Sequence, residues 1–155
     1  MLIRQFKPSD APALAALFHA SVREAGIRDY SAEQVEVWSP SKPDADRYLW
    51  QAEGRIFLVA VDDDNRPIGY GDLEPDGHID HLYCHPDVVG TGVGSAIYAA
   101  IEATARREGI SLLFVEASEA ARRLFERRGF VVDARHDFTI NGVAIHNYRM
   151  SKLIT

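Results

Sequence analysis

The sequence predicts an α+β fold, a mixed sheet of about seven strands flanked by four to five helices. Three observations predict it. The elements run strand, helices, strand meander, helix, strand, helix, hairpin, which is not the βα alternation of a doubly wound sheet. The run "SLLFV" sits between two amphipathic helical segments and is continuously apolar, as a strand buried on both faces would be. The last two strand-like runs flank Asn141-Gly142, the dipeptide preferred in a type I′ hairpin turn. With 155 residues, the chain is expected to form one domain spanning 1–155.

Each element follows from local chemistry. "LIRQF" alternates apolar and polar residues as a half-buried strand does. Ser9 or Asp10 then supplies helix-start chemistry, with Pro12 tolerated in a first turn. Leu14, Leu17, Phe18 and Val22 recur at helical spacing, so a helix is expected to about Gly26. Ser31 and Gln34 form a capping box for a second helix that ends before Pro40. "DADRYLWQA" reads as a third, short helix. "RIFLVAV" and "IGYGDLEP" are strands joined by the turn "DNRP", and "GHIDHLYC" is a further single strand. "SAIYAAIEATARRE" turns Ile97, Ala100, Ile101 and Ala105 inward. "SEAARRLFERRGF" buries Ala121, Leu124 and Phe125, with Gly129 suited to a left-handed stop.

Composition excludes several functions. A net charge of -6 argues against a sequence-independent grip on nucleic acid phosphates. No apolar run approaches the roughly 20 residues that span a bilayer, and the first ten residues lack the apolar core of a signal peptide. Cys84 is the only cysteine, so no intrachain disulfide forms, and a cytoplasmic location is expected.

The chemistry concentrates in "HIDHLYCHPDVVGTGVGSA", residues 78 to 96. Gly90, Gly92 and Gly94 follow a strand and precede a helix, where backbone amides can approach an anion closely. A P-loop is excluded because no lysine follows the glycines, and a dinucleotide fingerprint is excluded because Ser95 stands where its third glycine belongs. A simple tight turn remains the plainer alternative.

"LYCHPDVVGTGVGSAIYAAIE" resembles the cofactor-binding motif of the GNAT (GCN5-related) N-acetyltransferases, in which Q/R-x-x-G-x-G/A follows a strand. Gly92 and Gly94 fill the glycine positions, and Val89 stands where the family has Gln or Arg. A second family signature is similar to "SEAARRLFERRGF". Ala121, Leu124, Gly129 and Phe130 match it, while Ser118 replaces an Asn and Phe125 replaces a Tyr. The element order extends the resemblance over nearly the whole chain, and a bacterial subgroup of the family is the nearest in pattern.

The resemblance implies a central sheet splayed in the middle and acetyl-CoA as acyl donor, moving acetyl to a primary amine by direct attack. It implies that the backbone of Val89, Gly90, Thr91, Gly92, Val93, Gly94 and Ser95 holds the pyrophosphate. Leu82, Tyr83 and Cys84 would run along the pantetheine arm, with Ser118 and Phe125 facing the same cofactor. The Leu82 amide would polarise the thioester carbonyl. Phe125 cannot protonate the leaving thiolate as the family's tyrosine does, which leaves Tyr83, Tyr148, Ser118 or water for that task.

A metal reading of the histidine cluster fails on strand geometry. His78 and Cys84 would lie about 20 Å apart at roughly 3.3 Å per residue, and alternation puts His81 and His85 on the other face. No metal is expected. Acyl transfer instead needs a base for the amine, and His78, oriented by Asp80, is the expected pair. His81 replaces either if a bulge flips the alternation. The acceptor, a small-molecule or peptide amine, is expected against Asp29, Tyr30, Trp38 and Tyr148, with Glu33, His146 and Asn147 nearby. The resemblance leaves monomer or homodimer open. Two rival functions remain at this level: a non-catalytic acyl-CoA-binding or protein-interaction domain, and a nucleotide-binding module using the same glycine turn.

Overall fold

The computed structural model describes residues 1–155. Strand β1 (Leu2–Gln5) leads through a short turn into α1 (Ala11–Ala20), α2 (Ala32–Trp38) and α3 (Asp46–Gln51). Then come β2 (Ile56–Val61), β3 (Pro67–Leu73), β4 (His78–Ile79), β5 (Leu82–Cys84) and α4 (Val93–Arg107). The chain ends with β6 (Leu112–Ala117), α5 (Glu119–Arg127), β7 (Val131–Ile140) and β8 (Val143–Leu153). Asn141 and Gly142 have φ of 48° and 81°, the two positive values that a type I′ turn needs. No helix is long and apolar enough to cross a membrane.

The sheet is split. One half has the order β1-β2-β3-β5 and is antiparallel throughout; the other has the order β4-β6-β8-β7, with β4 parallel to β6. The segment "GHIDHLYC", expected as one strand, is therefore two short strands in two different half-sheets. Asp72 on β3 causes the break. Its Oδ1 accepts the backbone N–H groups of both Asp80 (2.9 Å) and His81 (2.8 Å), while its own N–H donates to the His81 carbonyl at 3.1 Å. A side chain thus takes amides that a continuous ladder would have used, and the strand kinks at residues 80 and 81.

Asp72 is fully buried, and its other oxygen is met by Arg55 Nη1 at 3.1 Å and Gln51 Nε2 at 2.7 Å. A buried carboxylate held by a guanidinium, an amide and two backbone donors is a fully satisfied charge.

Two apolar cores lie on opposite faces. α4 and α5 cover one, with Ile97, Ile101, Phe125, Leu113 and Met150 at its centre. The other is built by α1 with Tyr30, Val35, Tyr48, Tyr70 and Ile145. α4 presses hard on β3, since a Cβ on Gly71 would meet Ile97 at 2.9 Å and Ile101 at 3.0 Å. β6 is not buried on both faces as its apolar run suggested. Leu112 and Glu116 are exposed and Phe114 is half-buried, all three on its second face. α1 also ends differently, passing through a π-helical turn (Ser21–Ala25) and a 3-10 turn (Gly26–Arg28).

Candidate active site

A cavity of about 380 Å³ opens where the half-sheets part. Its inner wall is β5, the last strand of its half-sheet, so one edge of Leu82, Tyr83 and Cys84 has no strand partner. One end is the turn carrying Val89, Gly90, Gly92, Gly94 and Ser95. A second wall is α5 with the residue before it, through Ser118, Ala121, Leu124 and Arg127. The roof is the stretch from Ser21 to Tyr30, together with Trp38.

The glycines divide by task. Gly90 and Gly92 have φ of 81° and 94°, and a Cβ on either would meet only open space. They are there for the turn, and they leave the backbone bare toward the cavity. Gly94 has an ordinary φ; a Cβ there would meet Leu124 at 3.3 Å and the Cys84 sulfur at 3.5 Å, so it lets α4 pack closely. α4 begins at Gly92 without a side-chain cap and without an acidic residue in its first turn. Fifteen aligned peptide dipoles therefore end in unfilled N–H groups beside the cavity, which suits a diphosphate. Arg28 and Arg127 also line it.

The remaining cofactor positions play other parts. Thr91 Oγ1 donates to the Val88 carbonyl and holds the turn, and Val93 is buried as the first residue of α4. The Ser118 hydroxyl accepts the Ala121 N–H as the cap of α5. Phe125 is fully buried against Tyr98 and Phe130, centroids 5.8 and 4.8 Å away, and does not line the cavity. Burial pushes the Cys84 thiol up to about 11, so it stays protonated.

The kink separates the three candidates for proton handling. His78 lies between Glu74 (Nδ1, 2.8 Å) and Glu116 (Nε2, 2.5 Å). Burial works against its charged form, but the two carboxylates outweigh burial and raise its pKa. With both ring nitrogens engaged, it is a structural cation. Asp80 does not orient His78; Gln51 holds it at 2.7 Å, with Arg55 at 3.4 Å. Burial raises its pKa and is overcome by Gln51 and the neighbouring positive groups, so it stays ionised. His81 packs into the α1-side core, among Tyr70, Tyr48, Phe18 and Tyr83, with Nδ1 3.1 Å from the Tyr70 hydroxyl. Burial lowers its pKa, and only partly do Asp72 and Asp80 oppose that. It is neutral near pH 7 and keeps one ring lone pair.

Of the acceptor candidates, Asp29, Tyr30 and Trp38 line the cavity and Tyr148 does not. Asp29 is bound by both Nη atoms of Arg123, at 3.0 and 2.8 Å, and offers no free charge to a cationic amine. The Tyr30 hydroxyl donates to the His146 carbonyl (3.0 Å) and accepts the Glu119 N–H (3.1 Å), tying the roof to α5 and β8. Tyr148 donates to Glu119 at 2.7 Å; His146 Nε2 and Arg122 meet the same carboxylate at 2.7 and 3.0 Å.

Burial would raise the Glu119 pKa, yet these three donors pull it down to about 2. A carboxylate depressed in the fold stabilises above its unfolded value and loses that contribution as pH falls through its folded one. The thermal midpoint should therefore drop between about pH 5 and pH 2, and Glu119→Gln should flatten that drop. Equal slopes for the two proteins in pH-dependent melting would contradict this assignment.

Sequence reasoning missed Asp72, Arg55 and Gln51, which make the kink, and Ser21, Val22 and Ala25, which the π turn brings to the cavity. A carboxylate inside "GYGDLEP" was the one available signal for the first group. Nothing in the sequence marks the π turn.

The fold and cavity define a class: a split-sheet α+β domain with a glycine turn and an uncapped helix start at the end of the split. The family model described as an acetyltransferase (GNAT) domain matches residues 27–152. The chain belongs to the GNAT family and is an N-acetyltransferase of that fold. It is similar to the N-acetyltransferase YafP of Escherichia coli, 26% identical over 96% of this chain and 93% of that one. Among solved structures it is similar to a GCN5-related N-acetyltransferase from Rhodopseudomonas palustris, with 37% identity, TM-score 0.89, and 99% and 95% of the two chains covered. The PaiA N-acetyltransferase of Thermoplasma acidophilum, solved with coenzyme A, shares the fold at 20% identity and TM-score 0.78, over 99% and 98% of the chains.

Proposed function

We propose that this chain moves the acetyl group of acetyl-CoA to the primary amine of a small molecule or peptide, by direct attack with both substrates bound. The observation that carries the reading is the cavity itself, an uncapped helix N-terminus leading along an unpaired strand edge. The amides from Val89 to Ser95 would hold the diphosphate, and the edge of Leu82 to Cys84 the pantetheine arm. The bound donor supplies an activated acyl group, and the Leu82 N–H, on the unpaired edge of β5, would polarise its carbonyl oxygen. Polar retention of the amine falls to the roof, where Tyr30, Trp38 and Ser21 face the same space. The lone, protonated Cys84 suits a reducing cytoplasm.

His81 is the base in this reading. It is one ring removed from the cavity, with its centroid 5.6 Å from that of Tyr83, so the amine's proton reaches it through water. A screen of amino acids, polyamines and peptides, followed by release of free CoA thiol, tests the activity. His81→Gln should lower kcat by about a hundredfold or more, and His78→Gln by no more than about threefold. Wild-type kcat/KM should decline on the acid side as pH falls through a His81 pKa held below 6.5. A reversed order of the two variants would remove His81 from the role. No turnover with any amine would refute the activity.

A further inference from the structure

The chain has six tyrosines. Five have a hydrogen-bond partner for the hydroxyl: Tyr30 on the His146 carbonyl, Tyr48 and Tyr70 on each other, Tyr98 on Glu102, and Tyr148 on Glu119. Tyr83 has none, although its ring is packed at 4.8 Å from Phe18 and 5.9 Å from Tyr70. Its residue is half-buried and its hydroxyl is not sealed from solvent, so the group is free to donate to water or to a ligand. Tyr83 also lines the cavity, midway along the strand edge.

We propose that the Tyr83 hydroxyl is the hydrogen-bond donor to the sulfur that leaves when acetyl is transferred. This rests on the acetyltransferase reading above. As the amine nitrogen attacks, the C–N bond forms and the C–S bond breaks with its electron pair on sulfur. The nitrogen's surplus proton leaves through water to His81, and Tyr83 steadies the thiolate without giving up its own proton. Burial pushes the Tyr83 ionisation far above neutrality, so the group remains a donor throughout.

Among the aromatic residues the other candidates are excluded by geometry. Phe125 has no hydroxyl and is sealed in the α4–α5 core. The Tyr30 and Tyr148 hydroxyls already donate hydrogen bonds, to the His146 carbonyl and to Glu119. Leu82 and Cys84 turn toward the α4 side, and Tyr83 alone of β5 turns toward the α1 side.

The test compares wild type with Tyr83→Phe, which keeps the ring and deletes a hydroxyl that makes no hydrogen bond to the protein. Free coenzyme A is the probe, and its thiolate absorption is followed against pH while it is bound. The half-ionisation pH of bound CoA should be about one unit lower on the wild type than on the variant, a tenfold difference. The variant's kcat should fall at least tenfold, with the KM for acetyl-CoA changed less than twofold. Identical thiolate titrations would overturn the proposal, as would a change confined to the KM for the amine. If CoA fails to bind the wild type, the acetyltransferase reading itself falls and this inference with it. If CoA binds both proteins alike and both ionise it alike, only the inference falls.

Discussion

Replacing Asp72 with alanine should destabilise the fold by about 3–5 kcal/mol and close the split in the sheet. The carboxylate is fully buried, and four donors converge on it: Arg55, Gln51 and the amides of Asp80 and His81. Its removal leaves two backbone N–H groups without their acceptor and takes from Arg55 the most buried of its three carboxylate partners. The loss therefore far exceeds that of an exposed ion pair, which is typically below about 1 kcal/mol. Without an acceptor at that point, residues 78 to 84 are free to run as the single strand that their sequence suggests. Asp72→Asn keeps one acceptor oxygen for the two amides and should lose less. Urea unfolding measures both. A loss under about 1 kcal/mol for the alanine variant would mean that the kink does not depend on Asp72.

The second large effect is on the cofactor and not on the fold. Gly92→Asp should weaken acetyl-CoA binding at least a hundredfold, about 2.8 kcal/mol, while the thermal midpoint falls only by the strain of a side chain at φ 94°. Aspartate is among the residues that tolerate positive φ, and a carboxylate at a helix start is itself favourable. At Gly92, however, it would occupy the bare N-terminus of α4 and compete directly with a diphosphate. Calorimetry separates affinity from folding, and a variant that binds acetyl-CoA normally would show that the turn is only a turn.

The elements were largely legible because periodicity, caps and turn residues are local. The Ser31–Gln34 capping box, the Gly129 stop at φ 91° and the Asn141-Gly142 turn stand as their residue types require. The glycine turn was legible for the same reason. What was not legible depends on distant partners. Alternation put His78 and Asp80 on one face with Leu82 and Cys84, but one aspartate on the neighbouring strand divides that segment, so that Ile79 and not His78 shares the core of Leu82 and Cys84. Glu74 and Glu116, four residues before His78 and 38 after it, turn the expected base into a fixed cation. Asp29 reads as a ligand for an amine until Arg123, 94 residues on, is found holding it. Charges and hydroxyls acquire roles from what they meet, and the sequence does not say what they meet.

The central claim is that the uncapped start of α4 and the free edge of β5 together form an acetyl-CoA site. The most direct measurement is calorimetric titration of the wild-type protein with acetyl-CoA, CoA, ATP and NAD in parallel. Acetyl-CoA and CoA should each bind one per chain, and ATP and NAD, which share the diphosphate but lack a pantetheine arm to lie along Leu82–Cys84, should bind far more weakly. Equal or tighter binding of ATP or NAD, or no binding of acetyl-CoA at millimolar concentration, would contradict the account.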